Sequence, residues 1–503
     1  MSAIRCRGRL QAAQGRLKPA LTRKPALTRI LAALGVVLIG SATTFTQGTP
    51  DRSKPPALGA TPQLKIPPID KRMLSNGLPV WIVEAPEVPL AQVNLVIHAG
   101  SGDDPANAFG LASFTAAMLD EGAGARSALQ IADEVEFLGA TLSTTSSFDA
   151  SAVRLNAPVR QLRAALAVMA EVALRPTFPV AEVERLRQER LTALDQARDD
   201  AASVAPLAFG RVVFGPTHRY GTAASGTSAT LKAMTADQMR AFHAERYRPS
   251  NATLIVAGEV TAAGVMPLLE ETFGKWPKAA PGARTSVPTA PQLTAAQVTI
   301  VDMPSAEQSQ IRIGAVGVAR STPDYFPLLV LNTILGGSFT SRLNQNLREE
   351  HGYSYGASSR FDMRLSAGAF QAGAGVQSDK TSESLAEFFK ELKGIAAPVS
   401  EAELAKAKNY IALSFPSEFE TITDLTSHLE EMAVYKLPET YFSQYIANVQ
   451  AVTAAAVQKA AATYIQPDRF AVVVVGDRKA IEPGIRALNL APMRAITVEE
   501  VVP

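Results

Sequence analysis

A repeat constrains this chain more than any single motif. The run Gln92-Val-Asn-Leu-Val-Ile97 returns 218 residues later as Gln310-Ile-Arg-Ile-Gly-Ala315, and both alternate with the two-residue period of a strand. At the other end of the same span, Thr253-Leu-Ile-Val-Ala-Gly258 returns as Ala471-Val-Val-Val-Val-Gly476 at the same separation. Each is preceded by a related element, Tyr247-Arg-Pro and Tyr464-Ile-Gln-Pro. Agreement at both ends implies an internal duplication, so the chain is expected to fold as two like halves of roughly 200 residues.

Between the halves, Lys275 to Gln297 is rich in Pro, Ala and Thr and carries little apolar periodicity, which reads as a linker. The first half then covers 69–274 and the second 298–495. Within them, strand patterns alternate with helical ones at Val180 to Arg198, Thr235 to Tyr247, Ser382 to Lys393 and Ser400 to Ser414. Thr235 to Gln238 and Ser400 to Glu403 have the Thr-x-x-Gln and Ser-x-x-Glu form of capping boxes. The class is α+β, a sheet packed with helices in each half.

With 47% apolar and 19% charged residues the chain is globular rather than disordered. Eight of its 49 basic residues fall in the first 29 positions, and no acid precedes Asp51. Without that leader, 41 basic residues face 47 acidic ones, a net of −6 that gives no electrostatic reason to bind nucleic acid. The leader runs into an 11-residue apolar stretch, Ile30 to Gly40, too short to cross a bilayer and suited to a signal-peptide core. Residues 1–46 are therefore expected to be a signal peptide or N-terminal anchor, and 47–68 a Pro-rich spacer. The only cysteine, Cys6, lies in the leader, so the rest of the chain has no disulfide and no thiol chemistry. Export without disulfides suits a periplasmic location.

Leu111, Phe114, Met118 and Leu119 fall at helical spacing within Gly110 to Leu119, and Gly122 and Gly124 follow as stops. On this helix Ser113 and Ala117 are four residues apart and share one face. Taken alone it is an amphipathic helix with small residues at close packing points. No two of the five histidines (98, 218, 243, 351 and 428) are closer than 25 residues, so none forms a local metal-binding pair. A Gly-x-Ser-x-Gly elbow and a phosphate-binding loop are also absent. In the second half, Leu343 to Glu350 predicts a helix, Gly352 its C-terminal cap, and Tyr355 to Met363 a strand leaving it. Arg348 and Tyr355 can then point into one cleft. Equally, Arg348 can complement the helix dipole and Tyr355 can pack in the core.

Asn94-Leu-Val-Ile-His-Ala-Gly-Ser-Gly102, Phe109-Gly-Leu-Ala112, the helix ending near Gly122, and Phe137-Leu-Gly-Ala-Thr-Leu-Ser143 occur in that order in a duplicated chain. Together they resemble the pitrilysin/insulinase family of inverted-motif zinc peptidases, over about residues 65 to 495. Active members carry His-x-x-Glu-His on the helix, two imidazoles for zinc and a carboxylate for water. The resemblance places Ser113, Ala116 and Ala117 at those positions. A further glutamate ligand, roughly 76 residues on, corresponds to Ala193, so no metal is expected in this chain.

The resemblance also implies that Arg348 and Tyr355 match an Arg/Tyr pair that holds the scissile carbonyl, although Tyr353-Ser354 replaces the family's immediate Gly-Tyr. A chain that has lost the zinc residues and kept this pair resembles the non-catalytic subunit of two-chain, processing-peptidase-like members. It implies a clam-shell chamber formed with a zinc-bearing paralogous subunit, zinc held by that partner, and a peptide substrate. An inert scaffold or peptide-binding protein with the same fold is the alternative, and self-association into a homodimer without a partner is left open.

Overall fold

The computed structural model describes residues 59, 64–279 and 287–502. The leader (1–46) and all of the spacer before Gly59 lie outside them. Among the described residues no helix is long and apolar enough to cross a membrane.

The first half contributes β1 (Asp70–Met73), β2 (Pro79–Glu84), β3 (Leu90–Ile97), a small ribbon of β4 (Gly122–Ala123) and β5 (Arg126–Ser127), β6 (Thr141–Ser146), β7 (Ser151–Pro158) and β8 (Ala252–Gly258). The second contributes β9 (Gln297–Asp302), β10 (Gln308–Val316), β11 (Ser354–Phe361), β12 (Ala369–Gln377), β13 (Ala471–Gly476) and β14 (Met493–Thr497). The two six-stranded sheets run β1-β2-β8-β3-β7-β6 and β11-β12-β10-β13-β9-β14. They are the same sheet twice, with β2, β3, β7 and β8 recurring as β9, β10, β12 and β13. Only the far edge differs, because β1 lies antiparallel to β2 whereas β14 lies parallel to β9. The N-terminal segment closes one sheet and the C-terminal segment the other.

The apolar runs seen in the sequence sit at the sheet centres, where β8 and β13 are buried along their whole length. Each sheet buries one face under helices of its own half. The opposite face is covered by a helix of the other half. Thus Ile422–Tyr435 packs on β3 and β8, against Val96, Ile255 and Ala257, while Ala201–Phe214 packs on β10 and β13, against Val473 and Val475. Polar ties reinforce the exchange. Arg154 Nε and Nη2 donate to Glu430 at 2.7 and 2.6 Å, and Asn94 Nδ2 donates to the same carboxylate at 2.6 Å. Asp149 accepts from the Leu365 N–H (3.1 Å) and from the Tyr435 hydroxyl (3.0 Å).

The chain ends strap across as well. Ile66 and Ile69 pack on the second-half core, and Val501 and Val502 are buried against Ala201–Phe214. The halves that look separable in sequence are therefore one interlocked body over the described residues from 64 onward, because neither sheet can bury both faces alone.

Candidate functional site

Arg348 and Tyr355 are brought together. The helix predicted from Leu343 begins at Arg342 and becomes a π-helix over Gln345–Glu350. A π turn widens the helix by one residue per turn and is frequent at functional sites. It is anchored by Asn346, whose Nδ2 donates to Glu387 (2.7 Å) and Glu391 (2.8 Å). Gly352 follows with φ +66°, the left-handed cap expected of it. β11 then carries a register shift between Ser354 and Ala357, so Tyr355 sits in a bulge that re-aims its side chain.

Tyr355 is 90% exposed, which excludes core packing. The Arg348 guanidinium lies 5.0 Å from the Tyr355 ring centroid and 4.6 Å from that of Phe339. Its Nε also reaches Glu349 at 3.1 Å. Sequence reasoning missed Phe339. The available signal was a single large side chain in the otherwise small Gly336-Gly-Ser-Phe-Thr340 loop. That loop lies so close to β11 that a Cβ on Gly336 would meet the Ser359 nitrogen at 2.3 Å. A half-buried cation and an exposed phenol held side by side can donate hydrogen bonds to one carbonyl oxygen.

The helix of the lost metal motif spans Leu111–Ala117. Gly110 caps it with φ +99°, and Asp104 accepts from the Gly110 and Ala112 N–H groups at 2.8 Å each. Arg219 donates to Asp104 at 3.0 Å in a fully buried pair. Burial pushes the Asp104 carboxyl up to about 6, against the pull of Arg219 and the two N–H donors. Leu111, Phe114, Met118 and Leu119 are all buried, as the periodicity requires.

Ser113 and Ala117 are half-buried on one face, and Ala116 is buried. Ala193, on the helix Val180–Arg198, is exposed. The residue of that helix that meets Ser113 is Arg190, one turn earlier. Its Nη1 donates to Ser113 Oγ (3.3 Å), its Nη2 donates to the Ser113 carbonyl (3.0 Å), and the guanidinium lies 4.6 Å from the Phe114 ring centroid. Burial lowers its pKa. A hydroxyl, two methyl groups and a guanidinium are not a zinc ligand set.

The histidines are spent elsewhere. His98 bonds Thr253, His218 the Pro288 carbonyl and His243 the Ala173 carbonyl, while His351 stacks on Tyr353 and His428 on Phe419. Among the described residues no group of three His, Cys, Asp or Glu side chains is placed to hold a metal ion.

Comparison with known proteins gives this geometry a family. Residues 80–207 match the insulinase (peptidase family M16) model, and residues 233–411 match the model described as the peptidase M16 inactive domain. An uncharacterized zinc protease of Mycobacterium leprae is 28% identical over 338 residues, covering 67% of this chain and 75% of that protein. One from Mycobacterium tuberculosis is 26% identical over 425 residues, covering 82% and 95%. The crystal structure of a peptidase M16 inactive domain from Pseudomonas fluorescens superposes with a TM-score of 0.76 at 26% identity, over 81% of this chain and 98% of that one. A protease from Helicobacter pylori has the same TM-score at 19% identity, over 82% and 100%, and shares the fold. The two matched stretches, the repeated sheet and the zinc-protease relatives lead to one conclusion: the chain belongs to the pitrilysin/insulinase family, as a peptidase-like member of the inactive-domain type.

Proposed function

We propose that this chain is the non-catalytic, substrate-binding subunit of a two-chain zinc metallopeptidase. A zinc-bearing paralogous subunit brings the metal and the attacking water. This chain brings Arg348 and Tyr355, which hold the scissile carbonyl of a bound peptide and stabilise the oxyanion that forms on it. The observation that carries the reading is the contrast between two places in one molecule. At Ser113 the side chain that meets the helix is a guanidinium, whereas at Arg348 a π turn and a bulge set a half-buried cation beside an exposed phenol.

Export into the periplasm belongs to the same proposal and rests on the leader. The test is peptide hydrolysis by this chain, by a zinc-bearing paralogue and by their mixture. Cleavage by the mixture beyond that of either chain is expected. Arg348→Ala or Tyr355→Phe should then lower turnover by about 100-fold, the usual effect of losing one oxyanion donor, with assembly intact. Unchanged turnover in both variants removes the role assigned to the pair.

A further inference from the structure

The second sheet has an open groove that the clamp does not use. Ala201–Phe214 covers β10 and β13 but stops short of the edge strand β11. Between helix and edge strand the floor is β12, where Gln371 and Gly373 face outward. The helix wall carries Arg211 and the strand wall carries Arg360. Arg312 crosses the floor from β10, its side chain so close to Gly373 that a Cβ there would meet Arg312 Cδ at 2.9 Å. Arg312 donates to the Ile311 carbonyl at 2.8 Å, and none of the three guanidiniums pairs with a carboxylate among the described residues. Among the described residues the one carboxylate lining this groove, Asp362, is held by Arg364. Arg312 is depressed by burial and by the neighbouring charge of Arg360, as expected where like charges gather without an anion.

The edge strand β11 runs from this groove to the clamp, carrying Arg360 near one end and Tyr355 near the other. Ala357 and Ser359 are buried while Ser358 and Arg360 are exposed, and the bulge puts Tyr355 on the exposed side as well. Five residues of strand span about 16 Å, so a chain lying along β11 from Tyr355 reaches Arg360 after roughly five residues of its own.

We propose that the groove between Ala201–Phe214 and β11 binds a carboxylate of the substrate, held by Arg211, Arg312 and Arg360, about five residues from the bond at Tyr355. The substrate class is then peptides bearing an acidic side chain, or their own C-terminal carboxylate, at that distance. The proposal rests on the peptide-holding reading above, but its test does not need the partner.

Fluorescein-labelled peptides of about 12 residues are titrated into this chain alone, at low and high salt. One is amidated with a Glu about five residues from a central Ala-Ala bond, one is the Gln counterpart, and one is the Gln peptide shortened to end there as a free acid. A single charge gained in a partly buried groove should tighten binding about fivefold. Preference for Glu assigns the groove to acidic side chains, and preference for the free acid alone assigns it to peptide C-termini. Either preference should fall to less than twofold in Arg211→Gln/Arg360→Gln and persist in Arg360→Lys. Equal affinity for all three peptides, or no binding to about 1 mM, overturns the proposal, and that comparison on the unaltered chain decides even if the double variant does not fold. Cleavage by the two-chain mixture without charge preference sinks the groove alone. Charge preference without cleavage sinks the clamp role alone.

Discussion

Arg190 donates to both the hydroxyl and the carbonyl oxygen of Ser113, at 3.3 and 3.0 Å. A fixed organic cation thereby ties together the two helices that zinc would bridge in an active relative.

Restoring the motif alone should fail. Ser113→His/Ala116→Glu/Ala117→His rebuilds His-x-x-Glu-His but leaves the guanidinium beside it. Less than one zinc per ten chains is expected after dialysis, about what nonspecific binding gives, because two imidazoles without a third ligand and facing a cation hold the metal weakly. Metal analysis by mass spectrometry reads this directly, and one tightly bound zinc per chain would show that Arg190 is no obstacle.

Phe339 is exposed, so its removal should cost little stability. Its ring supports one side of the Arg348 guanidinium, and a partly exposed cation–π contact is worth about 0.5–1 kcal/mol. In the proposed two-chain assembly Phe339→Ala should lower kcat about threefold with KM unchanged, and Phe339→Trp should restore it. A change confined to KM would make Phe339 a peptide contact rather than a support for Arg348.

Glu430 joins the halves through Arg154 and Asn94 in a largely buried arrangement. Glu430→Ala leaves both donors without their acceptor and should destabilise the fold by about 2–3 kcal/mol in urea unfolding. The exposed pair Arg163–Glu271 provides the control, since Glu271→Ala should move stability by less than about 0.5 kcal/mol. Similar effects from both would mean that Glu430 is not a tie between the halves.

Asp104 gives a pH signature. Its folded pKa of about 6 lies above the ordinary carboxyl value. Between about pH 4 and 6 the folded chain keeps a proton that the unfolded chain has lost. This group's contribution is therefore complete below about pH 4 and is lost as pH rises through 6. The stability of the unaltered chain relative to Asp104→Asn should fall across that window. A difference that stays level between pH 4 and 6.5, measured by chemical denaturation at several pH values, would show that Asp104 ionises normally inside the fold.

Much of the architecture was legible because local pattern and tertiary role agree. The repeat at 218 residues foretold β3 and β8 returning as β10 and β13, and the structure adds β2 and β7 returning as β9 and β12. Val180–Arg198 formed over the residues expected, and Thr235 closes its capping box with Gln238. Periodicity also fixed which face of the metal-motif helix is buried, since Leu111, Phe114, Met118 and Leu119 have nowhere else to go.

The sequence by itself determined the duplicated α+β fold and the spacing of Arg348 and Tyr355, because each is written in local patterns of residues. Tertiary structure alone decided the rest. That Ala201–Phe214 and Ile422–Tyr435 exchange sheets, that Arg190 rather than Ala193 meets Ser113, and that Phe339 closes on Arg348 all depend on contacts between segments far apart in the chain. Such contacts are selected by burying whole faces at once, and no local pattern records which distant face will be there.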